Sequence, residues 1–364
     1  MHIEIIKYFL KLGFVGFGGP LALIASFQKE LVEKRKWLSL ERFSQSLTLI
    51  KALPGPTATQ IAIYLGLVRG GKLGGALAGL CIILPPFVMM LLLAYFYENV
   101  RSFSWSKTLL SGMQVAALGV ITESILRLIH PYKKITLFWI VAFFSGFLTY
   151  FFPSAEPLFI IGAGILGIAY YKFGFLSLAL LGFGKPILGL LPKLSWVCFK
   201  AGAFVFGTGL AVVPMLAHDV VENHHWLTHT EFMDALAFGQ ITPGPVVITV
   251  TFIGYKVAGF FGAVCATTAV FAPAFFNILT WFPVVEKRFL QNKAALEFTK
   301  WAMGAVIGAL AVTILKLSLP FFNQDFFFLS VLLFVFAFLL SLFGKAPPWL
   351  IIIGGGGILQ IVLT

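Results

Sequence analysis

The fold is decided by the stretch Ser46-Leu47-Thr48-Leu49-Ile50-Lys51-Ala52-Leu53-Pro54-Gly55-Pro56-Thr57, in which a Pro-Gly-Pro motif interrupts an apolar run. The motif returns in Phe238-Gly239-Gln240-Ile241-Thr242-Pro243-Gly244-Pro245. Proline ends the preceding helix and glycine permits a sharp turn, so each motif predicts a helix break. The second proline is also well placed to begin the next helix. The sequence therefore predicts two short helices that meet end to end at each motif.

The composition excludes an ordinary soluble domain. The chain has 364 residues, of which 59% are hydrophobic and 11% charged, with 41 phenylalanines. Its mean hydropathy is +0.97. So few charges predict that the bilayer is the solvent, in a multi-pass protein of the plasma membrane. No cleavable signal is expected, because the first apolar run leads into Gly18-Gly19-Pro20 without a small-residue cleavage pattern.

The excess of positive charge fits membrane topology better than nucleic-acid binding. The 26 lysines and arginines give a net charge of +12, but they are scattered at the ends of apolar runs. The cysteines Cys81, Cys198 and Cys265 lie in apolar runs without metal-ligand spacing. They are expected to be small core residues, so neither a metal site nor a cofactor is predicted.

The two motifs belong to a tandem duplication of nearly the whole chain. The offset that brings Pro54 onto Pro243 also pairs residues far from the motifs in both directions. The pairs include Lys11 with Lys200, Gly13 with Gly202, Trp37 with Trp226, Gly119 with Gly308, Arg127 with Lys316 and Pro131 with Pro320. The predicted organisation is a first repeat at 1–172, a linker at 173–195 broken by glycine and proline, and a second repeat at 196–364.

A series of apolar runs approaches the roughly 20 residues that a crossing helix needs. The runs lie at 4–27, 73–97, 108–129, 135–152, 156–171, 196–217, 259–282, 300–318, 326–343 and 347–363. Segments 39–68 and 229–257 hold the motifs, and the apolar stretch on each side of each motif is too short to span the membrane by itself. The predicted fold is an all-α polytopic membrane protein with about five crossing helices and one broken or re-entrant Pro-Gly-Pro hairpin in each half.

The two repeats are expected to enter the membrane in opposite orientations, because an odd number of crossings in the first half reverses the second. Lysine and arginine favour the cytoplasmic side of a membrane. The loop after the first run carries Lys29, Lys34, Arg35 and Lys36 against Glu30 and Glu33. The equivalent stretch of the second repeat is acidic, with Asp219, Glu222, Glu231 and Asp234. This inverted repeat leaves Lys7, Lys11 and Lys256 on the outer side, so the assignment of the ends is weaker.

The helix starts after the two motifs are candidate anion sites. A helix N-terminus offers unpaired N–H groups and a partial positive charge. Thr57 and Thr59 could add hydroxyl donors in the first copy. An inverted repeat with discontinuous helices is also the architecture of secondary transporters, whose sites lie near the midplane. The alternative is that the prolines only kink helices for packing.

Two pairs of equivalent polar residues lie near the breaks. Lys51 and Gln240 precede the two motifs, where a lysine would supply positive charge for an anion and a glutamine a neutral donor. Lys11 and Lys200 precede Gly-rich breaks whose backbone N–H groups could approach a ligand. The glycines considered in these breaks are Gly18, Gly19, Gly207 and Gly209. The alternatives are a snorkelling Lys51 and interfacial anchoring by Lys11 and Lys200.

Glu123, inside the run 108–129, is the best membrane carboxylate for proton coupling. The alternative is an ordinary ion pair with Arg127, one helical turn later.

Three other patterns carry no function. Gly162-Ala163-Gly164-Ile165-Leu166-Gly167 matches a dinucleotide fingerprint but lies inside an apolar span, so close helix packing is expected, as for Gly354 to Gly357. A histidine cluster in the acidic loop could bind metal or sense pH, and a solvated loop is the favoured interpretation. Its members are His218, His224, His225 and His229. No HExxH or other hydrolase signature is present, so an enzyme is not predicted.

Together these motifs resemble the chromate ion transporter family in its long, two-domain form. The motifs that carry the resemblance are Phe17-Gly18-Gly19-Pro20, Trp37-Leu38-Ser39, Leu53-Pro54-Gly55-Pro56 with Gln60, Phe206-Gly207-Thr208-Gly209, Trp226-Leu227-Thr228 through Glu231-Phe232, and Gln240-Ile241-Thr242-Pro243-Gly244-Pro245. The resemblance covers nearly the whole chain, and the set is specific although a single motif is not. Two departures leave the choice of anion open: Lys51 stands where the second copy has the family-like glutamine, and Thr208 replaces a glycine.

The resemblance implies a secondary transporter of chromate, a divalent tetrahedral oxyanion, acting as a proton-driven efflux antiporter that gives chromate resistance. A transporter of sulfate or another oxyanion, uptake instead of efflux, and an anion channel stay open as alternatives. The expected partners are the oxyanion and the lipid bilayer, not nucleic acid, and a homodimer is an open alternative to a monomer. The residues expected to bind the anion are Lys11, Gly18, Gly19, Lys51, Pro54, Gly55, Pro56, Thr57, Thr59, Gln60, Lys200, Gly207, Gly209, Gln240, Pro243, Gly244 and Pro245, with Glu123 for proton coupling.

Overall fold

The structure is a computed structural model that describes residues 1–173, 189–205, 209–289, 293–322, 326–344 and 346–363, and all regular structure in these ranges is helical. The first half holds α1 (His2–Val15), α2 (Gly19–Phe27), α3 (Leu40–Ala52), α4 (Thr57–Arg101), α5 (Ser104–Ile129), α6 (Thr136–Phe151) and α7 (Glu156–Phe173). The second half holds α8 (Leu190–Ala203), α9 (Val212–Leu216), α10 (His229–Ile241), α11 (Thr249–Phe276), α12 (Phe282–Phe289), α13 (Lys293–Phe322), α14 (Phe327–Leu342) and α15 (Pro348–Leu363). The all-α prediction is confirmed, and most of the predicted linker lies outside the described residues.

The first apolar run of each half is broken, so residues 4–27 and 196–217 do not form single continuous helices. Gly18 and Gly19 have φ values of +102° and +72°, which turn the chain between α1 and α2. A π-helical segment, Gln28–Lys34, continues α2. In the second half a 3-10 turn leads into α9, which the π-helical segment Ala217–Asn223 continues.

The predicted helix break is present at both Pro-Gly-Pro motifs. α3 ends before the first motif and α4 begins after it, with Gly55 at φ +130°. α10 ends before the second motif, Gly244 has φ +95°, and a 3-10 turn at Val246–Ile248 leads into α11. Each motif therefore joins two helices through a glycine with positive φ.

Both helices that follow the motifs fold back on themselves. The backbone leaves helical geometry at Gly70–Gly71 in α4 and at Ala258–Gly259 in α11. A Cβ atom placed on Gly74 would lie 2.5 Å from the carbonyl oxygen of Gly66. Along a straight helix these residues would be about 12 Å apart. The chain therefore doubles back, and the short first arm packs against the long second arm.

The helices of the two halves are interleaved. α5 packs against α14 and α15, and α13 packs in the same way against α6 and α7. α1 lies on α4, α8 lies on α11, and α4 contacts α11. Small residues permit close approach, since a Cβ on Gly308 would lie 2.7 Å from the backbone nitrogen of Gly146. The dinucleotide-like run also packs closely, with Gly167 against Trp301. The core is therefore shared by both halves.

The membrane class is confirmed by the length and apolarity of the helices. Within the described residues, the 4 helices long and apolar enough to cross a membrane are Thr57–Arg101, Ser104–Ile129, Val246–Val284 and Glu297–Phe321. Shorter apolar helices lie at Thr136–Phe151, Pro153–Ala169, Phe327–Leu342 and Pro348–Leu363. A 16-residue helix such as α6 extends about 24 Å, less than the roughly 30 Å hydrocarbon core. The number of crossings in each half stays a prediction.

Candidate functional site

Each Pro-Gly-Pro motif docks on the Gly-rich break of the other half. The backbone N–H of Gly55 donates to the carbonyl oxygen of Val205 at 2.7 Å, and the N–H of Gly244 donates to that of Gly16 at 3.0 Å. The two bonds are equivalent under the sequence repeat. Both N–H groups are satisfied within the protein, so in this conformation they are not free to hold an anion. The motifs act here as docking elements.

Side-chain amides also hold the first motif. The carbonyl oxygen of Pro54 accepts from Gln60 Nε2 at 2.8 Å and from Asn277 Nδ2 at 2.6 Å. Gln60 Oε1 and Thr59 Oγ1 are buried and have no hydrogen-bond partner among the described residues. Gln60, expected as an anion ligand, therefore uses its amide nitrogen to fix the break.

A cavity of about 340 Å³ brings several predicted site residues together. We call it the Gly18–Gln240 cavity. Its polar lining comes from the start of α2 (Gly18, Gly19), the end of α10 (Gln240) and α5 (Glu123, Arg127). The remaining lining residues are Pro20, Ala22, Val120, Ser124, Leu128, Leu210, Val246, Ser341, Gly344, Ala346, Pro347 and Pro348. A helix start, an amide and a guanidinium therefore share one space.

The start of α2 carries the properties expected of an anion site. Gly18 is its N-cap, in a left-handed conformation, and no side chain caps this helix start. The donors at this helix start are the backbone N–H groups of Gly19 and of the residues after Pro20, which itself has none, and the partial positive charge of the helix end favours an anion.

Arg127 supplies the full positive charge of the cavity. Its Nε donates to Glu123 Oε1, and its Nη2 donates to the carbonyl oxygen of Ser341 at 3.0 Å. The hydroxyl of Ser341 donates to Glu123 Oε2 at 3.1 Å. Both carboxylate oxygens of Glu123 are thus satisfied, and its side chain is 3% exposed against 49% for Arg127. The contacts of Glu123 match the ion pair weighed above, and proton coupling by this residue stays a prediction.

The other predicted ligands lie elsewhere. Lys51 is exposed on α3. Lys11 lines a separate, open cavity of about 700 Å³ beside α1 and the segment Gln28–Lys34. Lys200 Nζ lies 2.5 Å from Asp219 Oδ2 in an ion pair. Nine further predicted residues are buried but do not line the Gly18–Gln240 cavity: Gly55, Pro56, Thr57, Thr59, Gln60, Gly209, Pro243, Gly244 and Pro245. Pro54 is partly buried, and Gly207 lies outside the described residues.

Charged groups outside the membrane helices pair locally. Hydrogen bonds from Arg35 and Lys34 hold the pKa of Glu30 below its ordinary value. Burial raises the pKa of Glu222, but its hydrogen bond with His218 and other favourable interactions outweigh burial and leave the pKa lowered. No group of three or more His, Cys, Asp or Glu residues in the described part of the chain is arranged to hold a metal ion.

The sequence reasoning missed Arg127 and Ser341 as lining residues. Arg127 was read only as a partner of Glu123, although the repeat pairs it with the cation Lys316. That recurrence of a cation inside an apolar run was the available signal. Ser341 had none, because its place in the cavity depends on how α14 packs on α5.

A polytopic helical protein with discontinuous helices and a polar interior cavity is typical of membrane transporters. The chain belongs to the Chromate transporter family, whose sequence profile matches residues 3–168 and 192–360. It is a multi-pass protein of the cell membrane.

Relatives of known name agree with this family. The chain is 36% identical to a probable chromate transport protein of Synechococcus elongatus, over 85% of this chain and 84% of that protein. It is 35% identical to a chromate transport protein of Cupriavidus metallidurans, over 86% of this chain and 82% of that protein. It is 28% identical to a chromate transport protein of Pseudomonas aeruginosa, over 86% of this chain and 80% of that protein. No solved structure matches the chain.

Proposed function

We propose that the protein carries chromate, or an oxyanion of the same shape and charge, through the Gly18–Gln240 cavity. The observation that carries the proposal is the convergence of an uncapped helix start, the Gln240 amide and the Arg127 guanidinium on one space. A divalent tetrahedral oxyanion accepts hydrogen bonds from several directions, and charge-assisted donors bind it best. The family and the names of its relatives support the same substrate class.

In this proposal Arg127 is the principal cation. Its side chain is half exposed, and two of its nitrogens donate hydrogen bonds, one to Glu123 and one to the carbonyl oxygen of Ser341. Its remaining N–H capacity can turn to a ligand. Glu123 offsets one positive charge, so the cavity would hold a dianion only moderately. That suits a carrier, because a transported ion must leave as well as enter.

We further propose that this site works in an inverted duplication, with about five crossings and one hairpin in each half, for proton-driven efflux. The segments Gln28–Lys34 and Ala217–Asn223 are equivalent in sequence, and both are π-helical. Each is followed by a non-glycine residue with positive φ, Lys36 in one case and His225 in the other. Residues 29–36 carry four basic and two acidic side chains, whereas residues 217–223 carry two acidic side chains and no lysine or arginine, and this difference in charge favours opposite sides of the membrane.

The test is chromate flux into proteoliposomes with Arg127→Gln, Arg127→Lys and, as a charge-matched control, Lys134→Gln at an exposed position outside the cavity. Loss of a charge-assisted bond costs about 1.5–3 kcal/mol, which corresponds to about a 10- to 100-fold weaker interaction with the anion. We expect that decrease in flux for Arg127→Gln, a smaller one for Arg127→Lys and wild-type flux for the control. Wild-type flux in Arg127→Gln, at equal protein, would overturn the assignment of the cavity.

The same vesicles distinguish the alternatives. Strong competition by sulfate would make the substrate a broader class of oxyanion. Chromate accumulation with the pH gradient in the opposite sense would indicate uptake. Flux that does not saturate and ignores the pH gradient would indicate a channel.

A further inference from the structure

A second, smaller cavity of about 120 Å³ lies among α6, α7, α9 with the segment Ala217–Asn223, the start of α10, and α13. We call it the Glu156 cavity. Its polar lining residues are Thr149, Glu156, His218, Glu222, His229 and Lys316. None of them belongs to the Gly18–Gln240 cavity.

Three polar atoms of this lining have no hydrogen-bond partner among the described residues. They are Glu156 Oε2, Thr149 Oγ1 and His229 Nε2. Glu156 is 1% exposed and Thr149 is 3% exposed. Leaving a buried polar atom unpaired costs about 1–3 kcal/mol. Three such atoms around one cavity indicate a site that binds a small polar species, namely a proton on the carboxyl group together with a water molecule.

The charges around Glu156 are unbalanced. Asp219, which is also buried, forms an ion pair with Lys200. Both groups lie close enough to Glu156 to act on it electrostatically. Two carboxyls therefore share one ammonium group. A buried carboxylate without a partner is strongly disfavoured, so Glu156 is the one that remains neutral.

The other titratable groups near the cavity do not supply the missing positive charge. Glu222 Oε2 lies 2.9 Å from His218 Nδ1, and Glu222 Oε1 lies 3.4 Å from Lys316 Nζ. His218 and Lys316 are therefore both engaged with a competing carboxylate. Burial lowers the pKa of His229, which keeps its ring neutral. The thiol of Cys198, beside Asp219, adds no positive charge.

We propose that Glu156 carries the proton of the transport cycle and that the Glu156 cavity is its access chamber. In the conformation described here Glu156 is protonated and shielded from water. When the cavity opens, the O–H bond of Glu156 breaks, the proton passes to water and the carboxylate becomes hydrated. The coupling of this proton to anion transport rests on the proposed function. The protonation of Glu156 itself does not depend on that function.

Glu156 is better suited to this role than Glu123. Glu123 accepts from Arg127 and Ser341, so both of its carboxylate oxygens are already engaged in hydrogen bonds. Glu156 follows Pro153 at the first turn of α7, where an acidic residue ordinarily interacts with the helix dipole. That ordinary role explains why the sequence did not single it out.

The experiment uses the full chain in liposomes with Glu156→Gln and, as a control, Glu222→Gln, an acid at the same cavity whose side chain is 43% exposed and already paired. Infrared spectroscopy at neutral pH should show a carboxylic-acid C=O band in the wild type. The band should be lost in Glu156→Gln and kept in Glu222→Gln. A wild-type protein without this band, or a band that survives in Glu156→Gln, would overturn the proposal.

Transport gives the second readout. Glu156→Gln should lose at least about tenfold of the flux driven by a pH gradient. It should keep chromate exchange at equal pH, which needs no net proton movement. Unchanged gradient-driven flux in this variant would also overturn the proposal. If the wild type moves no chromate at all, the proposed function fails, while the infrared band still decides the state of Glu156. Should Glu156→Gln not fold, Glu156→Asp must keep the acid band, and its absence there would count against the proposal.

Discussion

Replacing Gly55 by alanine should destabilise the protein more than replacing Gly244, although each is the centre of a Pro-Gly-Pro motif. Their φ values are +130° and +95°, in a region that residues with a Cβ atom rarely adopt. Holding alanine in such a conformation costs about 1–3 kcal/mol at either position.

The two positions differ in the space that a Cβ atom would enter. At Gly55 the added atom would lie 2.5 Å from Gln60 Nε2, so Gln60 must move and give up its bond to the carbonyl of Pro54. That loss adds about 0.5–1.5 kcal/mol. At Gly244 the nearest atom is Pro86 Cγ at 3.0 Å, which a small shift relieves. We therefore expect a loss of about 1.5–4.5 kcal/mol for Gly55→Ala and about 1–3 kcal/mol for Gly244→Ala.

The assay is the midpoint of thermal unfolding of the purified protein in detergent, with Gly162→Ala as the matched control. Gly162 lies within a helix, and no atom lies within 4 Å of an added Cβ, so alanine there should be neutral or stabilise by up to about 1 kcal/mol. A midpoint for Gly55→Ala equal to that of the control would refute the reasoning. So would a larger loss for Gly244→Ala than for Gly55→Ala.

Two further predictions concern polar contacts of α10. Tyr97→Phe removes the 2.6 Å hydrogen bond to Asp234, which is 1% exposed, so this variant should lower the stability by about 1.5–3 kcal/mol. Tyr95→Phe, at a 59% exposed position, is the control and should leave the stability unchanged. An unchanged unfolding midpoint for Tyr97→Phe would contradict this prediction. Burial raises the pKa of Glu231, but hydrogen bonds from Thr228 and its other partners outweigh burial and leave the pKa below 4.5. The stabilisation by Glu231 is therefore complete above pH 4.5 and is lost as the pH falls through the lowered pKa of the folded state. The difference in stability between the wild type and Glu231→Gln should shrink on acidification. A difference that stays constant with pH would contradict this prediction.

Local signals in the sequence predicted most of the helices. The run 108–129 became α5 (Ser104–Ile129), and 326–343 became α14 (Phe327–Leu342). The breaks at both Pro-Gly-Pro motifs were readable, because proline and glycine act on the backbone wherever they stand. Gly18 and Gly19 were readable as a break for the same reason, and the structure divides the run 4–27 there into α1 and α2.

The contacts that build the site were not readable in the same way. The bond from Gly55 to Val205 joins backbone atoms of different halves, and the contact of Arg127 with Ser341 joins α5 to the end of α14. Such contacts depend on helix packing, which leaves no local pattern. Lys51, expected as a ligand from its position before the motif, is exposed on α3, and its role stays a prediction.

The duplication placed equivalent cations in unequal surroundings. Arg127 on α5 balances Glu123 in the Gly18–Gln240 cavity, whereas Lys316 on α13 pairs with Glu222 in the Glu156 cavity, and Oε2 of Glu156 has no hydrogen-bond partner among the described residues. Under the proposed function, anion binding and proton binding are thereby divided between the two cavities. Because α5 packs on α14 and α15 while α13 packs on α6 and α7, helices of both halves wall each cavity. α10 lines both cavities, through Gln240 in one and His229 in the other, so a movement of this helix gives the two binding events a physical route to influence each other.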